Sequence, residues 1–242
     1  MSARADDEND RDTELPSFRQ SLGDALRKSG LGQVTPGEVP TARSLLAAIG
    51  GVRGLVESIL PGLGFLVIYT LTRDVTLAVL APVALAVVFV VVRLVTRSPV
   101  SQALAGIIGI GVSAALALLS GRAEQNFLPG IVINVASVSV LLVSIAVRWP
   151  LIGVIVGFLT NEGFEWRQNR SKRRVLYLAT WLWAGLFALR LVVELPLYWA
   201  RNVEWLAAMK LLLGVPLYAG LLWVTWLLVR AVYAKAGERS AE

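Results

Sequence analysis

The sequence predicts an all-α fold, a polytopic membrane helix bundle of about six transmembrane helices with both termini cytoplasmic, and three observations carry that reading. Hydrophobic residues make up 56% of the 242 and gather into runs of about 17 to 24, the length that crosses roughly 30 Å of hydrocarbon. The runs lack the strict alternation of barrel strands, and a helix is then the way to satisfy backbone amides in lipid. The 23 Lys and Arg residues sort almost entirely onto one side of the spans.

Taken in order, residues 1–15 hold Asp6, Asp7, Glu8, Asp10, Asp12 and Glu14 with almost nothing apolar, which reads as a disordered acidic tail. Residues 16–50 form a cytoplasmic linker with a short amphipathic helix, capped by Ser17, with Gln20 three residues on and Phe18, Leu22, Ala25 and Leu26 on one face. The transmembrane domain covers 51–232, with spans at 55–71, 75–92, 103–119, 127–147, 177–197 and 206–229, and 233–242 is a cytoplasmic tail. The run 151–159 is too short to cross and reads as a re-entrant or interfacial piece.

With the termini inside, 18 of the 23 cations fall on the cytoplasmic side. Only Arg73, Arg122 and Arg201 occupy outer loops, and Arg190 and Lys210 lie within spans. This is the positive-inside pattern, and it predicts a multi-pass protein of the bacterial plasma (inner) membrane. Trp149, Trp166, Trp181 and Trp183 fall near the inner boundary and Trp199 and Trp205 near the outer one, as interfacial belts do. The net charge of +6 therefore calls for anionic membrane lipids as partners and for no nucleic acid. Lys172, Arg173 and Arg174, just before the fifth span, are the expected headgroup contacts.

Within the third span Ala105, Gly109, Ser113, Ala117 and Gly121 recur every four residues, a small-residue face suited to close helix packing. Gly153 and Gly157 form a shorter pair of the same kind. Ionisable groups in a bilayer are costly and tend to be paired or functional. Arg190 and Glu194 stand four apart on one helical face and can pair; Lys210 enters from the same outer side and could join them. Arg53 and Glu57 form a second such pair at the start of the first span, and Asn134 offers an uncharged group able to bond across helices. Arg53, Glu57 and Leu60-Pro61-Gly62 are echoed by Arg122, Glu124 and Leu128-Pro129-Gly130, as in an inverted repeat.

With no His and no Cys, a His-based triad, an imidazole or thiolate zinc site and a thiol nucleophile are excluded. There is no Walker-type loop, and the membrane domain has no acidic cluster of the kind magnesium chemistry uses, so no enzymatic activity, metal or cofactor is expected. Two roles compete. In the one that the depth of most of the intramembrane charges favours, close to the interfaces, they are staples and snorkelling side chains in an envelope-associated protein that organises or interacts with envelope or division proteins. In the other, they line a path in a small secondary transporter or channel for a solute or lipid, working as a homo-oligomer.

Gly50-Gly51-Val52-Arg53-Gly54 with Glu57 and Leu60-Pro61-Gly62, then Ser120-Gly121-Arg122-Ala123-Glu124, Phe127-Leu128-Pro129-Gly130, Arg148-Trp149-Pro150-Leu151 and Thr180-Trp181-Leu182-Trp183, occur in order. In these motifs residues 40 to 232 resemble an actinobacterial integral membrane family, domain of unknown function 3159. The resemblance implies an inner-membrane location, the family having no established activity. Pro61, Phe65 and Tyr69, with Trp183, Ala184, Phe187 and Lys210, look more distantly like the intracellular septation protein A family. That likeness implies envelope maintenance and contacts with division machinery. The acidic tail and Pro129-Gly130, where that family has a basic entry to the fourth span, depart from it.

Overall fold

The computed structural model describes residues 51–95, 101–160 and 162–239. The tail of 1–15, the linker helix of 16–50 and the side chains of Arg53 and Ala105 lie outside the described residues. Every described element is helical: α1 (Gly51–Thr72), α2 (Val75–Val95), α3 (Ser101–Ser120), a 3-10 turn (Ala123–Phe127), α4 (Leu128–Ala146), α5 (Leu151–Leu159), a second 3-10 turn (Glu165–Arg167), α6 (Arg170–Trp199), α7 (Val203–Leu212) and α8 (Val215–Arg239). Four segments are long and apolar enough to cross a membrane, Val75–Val92, Ala123–Ala146, Arg170–Trp199 and Val203–Tyr233. Val56–Thr72 and Gly106–Ser120 are shorter apolar helices.

Helix starts follow their capping residues. The Asp74 carboxylate accepts from Thr76 N and Leu77 N at 2.7 and 3.1 Å and opens α2. The Asn169 side chain accepts from Ser171 N and Lys172 N at 2.9 and 3.2 Å and opens α6. Asn202 accepts from Trp205 N at 3.3 Å and opens α7. Each satisfies amides that the first turn leaves without helical partners. Helix ends are less ordinary. The left-handed residue after α3 is Gly121, with φ 63°, but after α1, α4 and α6 it is Arg73, Arg148 and Arg201, with φ 57°, 60° and 53°. At Arg148 and Arg201 the next amide closes a six-residue return, Trp149 N to Ser144 O at 2.8 Å and Asn202 N to Leu197 O at 3.0 Å. The strain of a side chain in this region is offset in part by a cation at the negative end of the helix dipole.

α1 packs on α2 and α2 on α3; α4 and α8 pack on α6, and α7 lies between α1 and α6. The main core joins Phe65, Ala78, Ala117, Phe127 and Leu206. Outward-facing residues are apolar along the helices, Val88, Leu119, Val192 and Leu212 among them, as a lipid-facing surface requires. At one end of the bundle Arg73 pairs with Glu204, while Arg122 and Arg201 both approach Glu124, at 3.5 and 3.7 Å. All three cations assigned to outer loops are thus stapled together at one end. At the other, Arg167 lies over Trp149 at 4.0 Å and Lys172 over Tyr233 at 4.1 Å, so the α4–α5 turn, the start of α6 and the end of α8 share that end.

Three expectations need correction. The sixth span is not continuous: α7 stops at Leu212 and α8 begins at Val215. Pro216 has no amide to continue the ladder, and at Gly214 an added Cβ would stand 2.6 Å from Lys210 O, so only glycine permits the tight turn. Lys172 is not a headgroup contact; it is buried and paired with Glu162 at 2.5 Å, leaving Arg173 and Arg174 as the exposed cations. The inverted repeat fails in position, because Pro61 lies inside α1 whereas Pro129 sits in the first turn of α4.

The run 151–159 is the short helix α5, and its two glycines seat an indole. Trp166 is fully buried, and Cβ atoms added at Gly153 and Gly157 would meet its ring at 2.9 and 2.8 Å. Burying a ring of that size is worth about 4 to 6 kcal/mol, which fixes residues 162–169 under α5.

Candidate functional site

Arg190 and Glu194 stand on α6 where it faces α4, α7 and α8. Arg190 lies nine residues from the end of α6 at Trp199, about 14 Å along the axis at the rise of an α-helix. Side chains there cannot reach either end of the helix, so their polar atoms need internal partners. Arg190 Nε and Nη2 donate to Glu194 Oε1 at 3.2 and 3.0 Å, and Asn134 Nδ2 donates to Oε2 at 3.0 Å. Both carboxylate oxygens are engaged, and Asn134, Arg190 and Glu194 are 2%, 7% and 3% exposed. The Arg190 guanidinium lies over the Tyr218 ring at 5.3 Å, tying α6 to α8.

Lys210 stands on the last full turn of α7, before the break at Gly214. Its ammonium lies over Phe127 at 4.9 Å, and an added Cβ at Gly130 would be 3.8 Å from Nζ. Among the described residues no hydrogen bond or ion pair reaches that ammonium. On the other side of α7, Gly62 lies against Leu211, where an added Cβ would be 2.9 Å from a methyl group. The two Leu-Pro-Gly motifs therefore flank successive residues of one broken helix.

Arg190, Lys210 and Tyr218 form one wall of a cavity of about 680 Å³ between α1, α2, α3, α7 and α8. Its other walls are mainly apolar, Phe65, Val79, Phe89 and Ile110 among them, interrupted by Ser58, Ser113 and Asn126, with Glu57 at the end nearest the start of α1. Gly109 and Ser113 of the third-span stripe face this cavity, with no neighbour within 4 Å of a Cβ at Gly109. Among the described residues of the stripe, the expected close packing is realised at Ala117, which is fully buried beside Ala114, while Gly121 is the exposed left-handed cap. A second, apolar cavity of about 560 Å³ runs between α4, α5, α6 and α8. Trp183, Phe187 and Tyr218, with centroids 5.8 to 6.3 Å apart, form the aromatic wall between the two.

The structure brings Asn134, Arg190, Glu194 and Lys210 into one neighbourhood and places Glu57 on the same cavity. It does not bring Arg122 and Glu124 there, since both belong to the ion-pair cluster at the bundle end. Sequence reading missed Tyr218 and Gly214; the signals were Gly214-Val215-Pro216 and an aromatic residue eight positions after Lys210.

No curated protein and no solved structure matches the chain, so the septation likeness rests on the quoted residues alone. A family model matches residues 49–236, which hold every element described above up to the last turn of α8. The chain belongs to the family described as Protein of unknown function (DUF3159).

Proposed function

We propose that this is a six-crossing protein of the bacterial plasma membrane, both termini cytoplasmic, that binds a solute or lipid in the larger cavity and moves it across the bilayer. The crossings are α1, α2, α3, α4, α6 and the broken pair α7–α8. The observation that carries the reading is the buried Asn134–Glu194–Arg190 network beside Lys210, on the wall of the cavity and next to a break in a membrane helix. Intramembrane charge and an interrupted helix around a cavity are the features by which transport sites are recognised. An organising role with envelope or division proteins needs no such cavity, and the exposed apolar residues are accounted for by lipid.

The chain has no cysteine, so single cysteines report access without background. Ser113→Cys, on the cavity wall, is expected to react with a membrane-impermeant thiol reagent in cells or in inverted vesicles, while Val192→Cys, on the lipid face, stays unlabelled. Asp74→Cys and Arg170→Cys, at opposite bundle ends, fix the orientation. A Ser113→Cys protein that reacts from neither side contradicts the transport reading.

A further inference from the structure

The cavity carries its charges unevenly. At the wall formed by α6 and α7, Arg190 is matched by Glu194, and Asn134 takes the remaining carboxylate oxygen. Lys210 has the Phe127 face and feels the Glu194 charge at a distance, with no anion bonded to it among the described residues. A cation in an apolar setting without a bonded counter-ion is unfavourable, and an entering anion removes that penalty. Gly130 has no side chain where a Cβ would lie 3.8 Å from the ammonium.

The remaining walls say what the anion is attached to. From Gly54 to Phe65 the lining of α1 runs eleven residues, about 16 Å, and Val79, Phe89 and Ile110 continue the apolar surface on α2 and α3. Phe65 touches Phe127 edge-on at 5.4 Å, so the Lys210 end of the cavity is the Phe65 end. Glu57 lines the opposite end, eight residues or about 12 Å from Phe65. Phe89 and Ile107 line the cavity while their neighbours Val88 and Ile108 are 53% and 66% exposed, so the cavity lies one helix from lipid. A volume of about 680 Å³ suits one chain-bearing molecule rather than a lone ion.

We infer that the cavity takes an anionic amphiphile, its acid group on Lys210 beside Arg190 and its apolar chain along α1, α2 and α3. This deepens the transport reading and rests on it for the identity of the site. Arg190 stays paired with Glu194 and supplies field, while Lys210 supplies the bond that discriminates acid from neutral head.

The test is native mass spectrometry of the full chain titrated with palmitate and, as a chain-matched neutral control, glycerol monopalmitate. Palmitate is expected to bind one per chain and glycerol monopalmitate more weakly. Lys210→Met lowers palmitate affinity about ten- to a hundredfold, the loss of one charge-assisted hydrogen bond, and Lys210→Arg retains it. Ser113→Phe and Gly109→Leu, which fill the cavity, abolish binding of both probes. Palmitate bound equally by Lys210→Met but lost in the filled variants overturns the anionic class and leaves the cavity as the binding site. Binding of both probes unaffected by filling, or binding of neither, overturns the site itself.

Discussion

Removing Glu194 alone should damage the protein more than removing Glu194 and Arg190 together. In the folded chain Glu194 Oε1 accepts two bonds from Arg190 and Oε2 one from Asn134. Glu194→Leu leaves a buried guanidinium without its counter-ion, about 3 to 5 kcal/mol, and a buried amide without an acceptor, about 1 to 3 kcal/mol. Arg190→Leu leaves a carboxylate held only by Asn134, again about 3 to 5 kcal/mol. The double variant removes both charges together, so that the opposing fields of Glu194 and Arg190 at Lys210 are lost as a pair and Asn134 is the one hydrogen-bonded group of the network left stranded. The loss is then about 1 to 3 kcal/mol, and adding Asn134→Leu brings stability back near the parent. Thermal unfolding in detergent micelles, followed by tryptophan fluorescence, measures the four variants against the parent. A double variant that loses the sum of the two singles would refute the reasoning, because it would mean that the three side chains do not act on one another.

Gly157→Ala places a methyl group against the Gly163 carbonyl and the Trp166 ring; over-packing of this kind costs about 1 to 3 kcal/mol, and a parent-like midpoint of thermal unfolding would contradict the seat drawn for Trp166. At Arg148 the left-handed backbone makes Arg148→Gly neutral to stabilising by up to about 1 kcal/mol and Arg148→Val destabilising by about 1 to 2 kcal/mol, an order that chemical unfolding will rank directly. Lys172→Met strips Glu162 of its cation where Oε2 already has no hydrogen bond, so limited proteolysis should cut within 160–169 faster than in the parent, whereas Arg173→Met leaves the rate unchanged.

Much of this bundle was legible because membrane helices advertise themselves. Runs of apolar residue fix the first four helices to within four positions, whereas α6 begins seven residues before its span, and the i, i+4 spacing of Arg190 and Glu194 is enough to forecast their pairing. Asn134 was recognisable as a cross-helix donor, but its acceptor lies 60 residues away, beyond any local rule. The break at Gly214 was written in Gly214-Val215-Pro216 and hidden by the apolar run around it, which satisfies a span whether or not the helix is interrupted. Arginine in left-handed helix ends gives no sequence signal, since glycine and asparagine hold those positions by preference. Lys172 sits in a basic run that looks like headgroup contact; only the folded return of 162–169 brings Glu162 and Tyr233 to it. Gly109 belongs to a stripe whose spacing promises packing, yet spacing cannot distinguish a face that meets a helix from one that borders a cavity.

The functional reading rests on the cavity beside Lys210 and Arg190 holding a ligand. An electron-microscopy structure of the full chain in lipid nanodiscs, with a bound antibody fragment to give it size, reads this directly. The account predicts elongated non-protein density between α1, α2 and α3, with its head within hydrogen-bonding distance of Lys210 Nζ. A cavity closed by α8 against α1, or one holding only isolated waters, would contradict it.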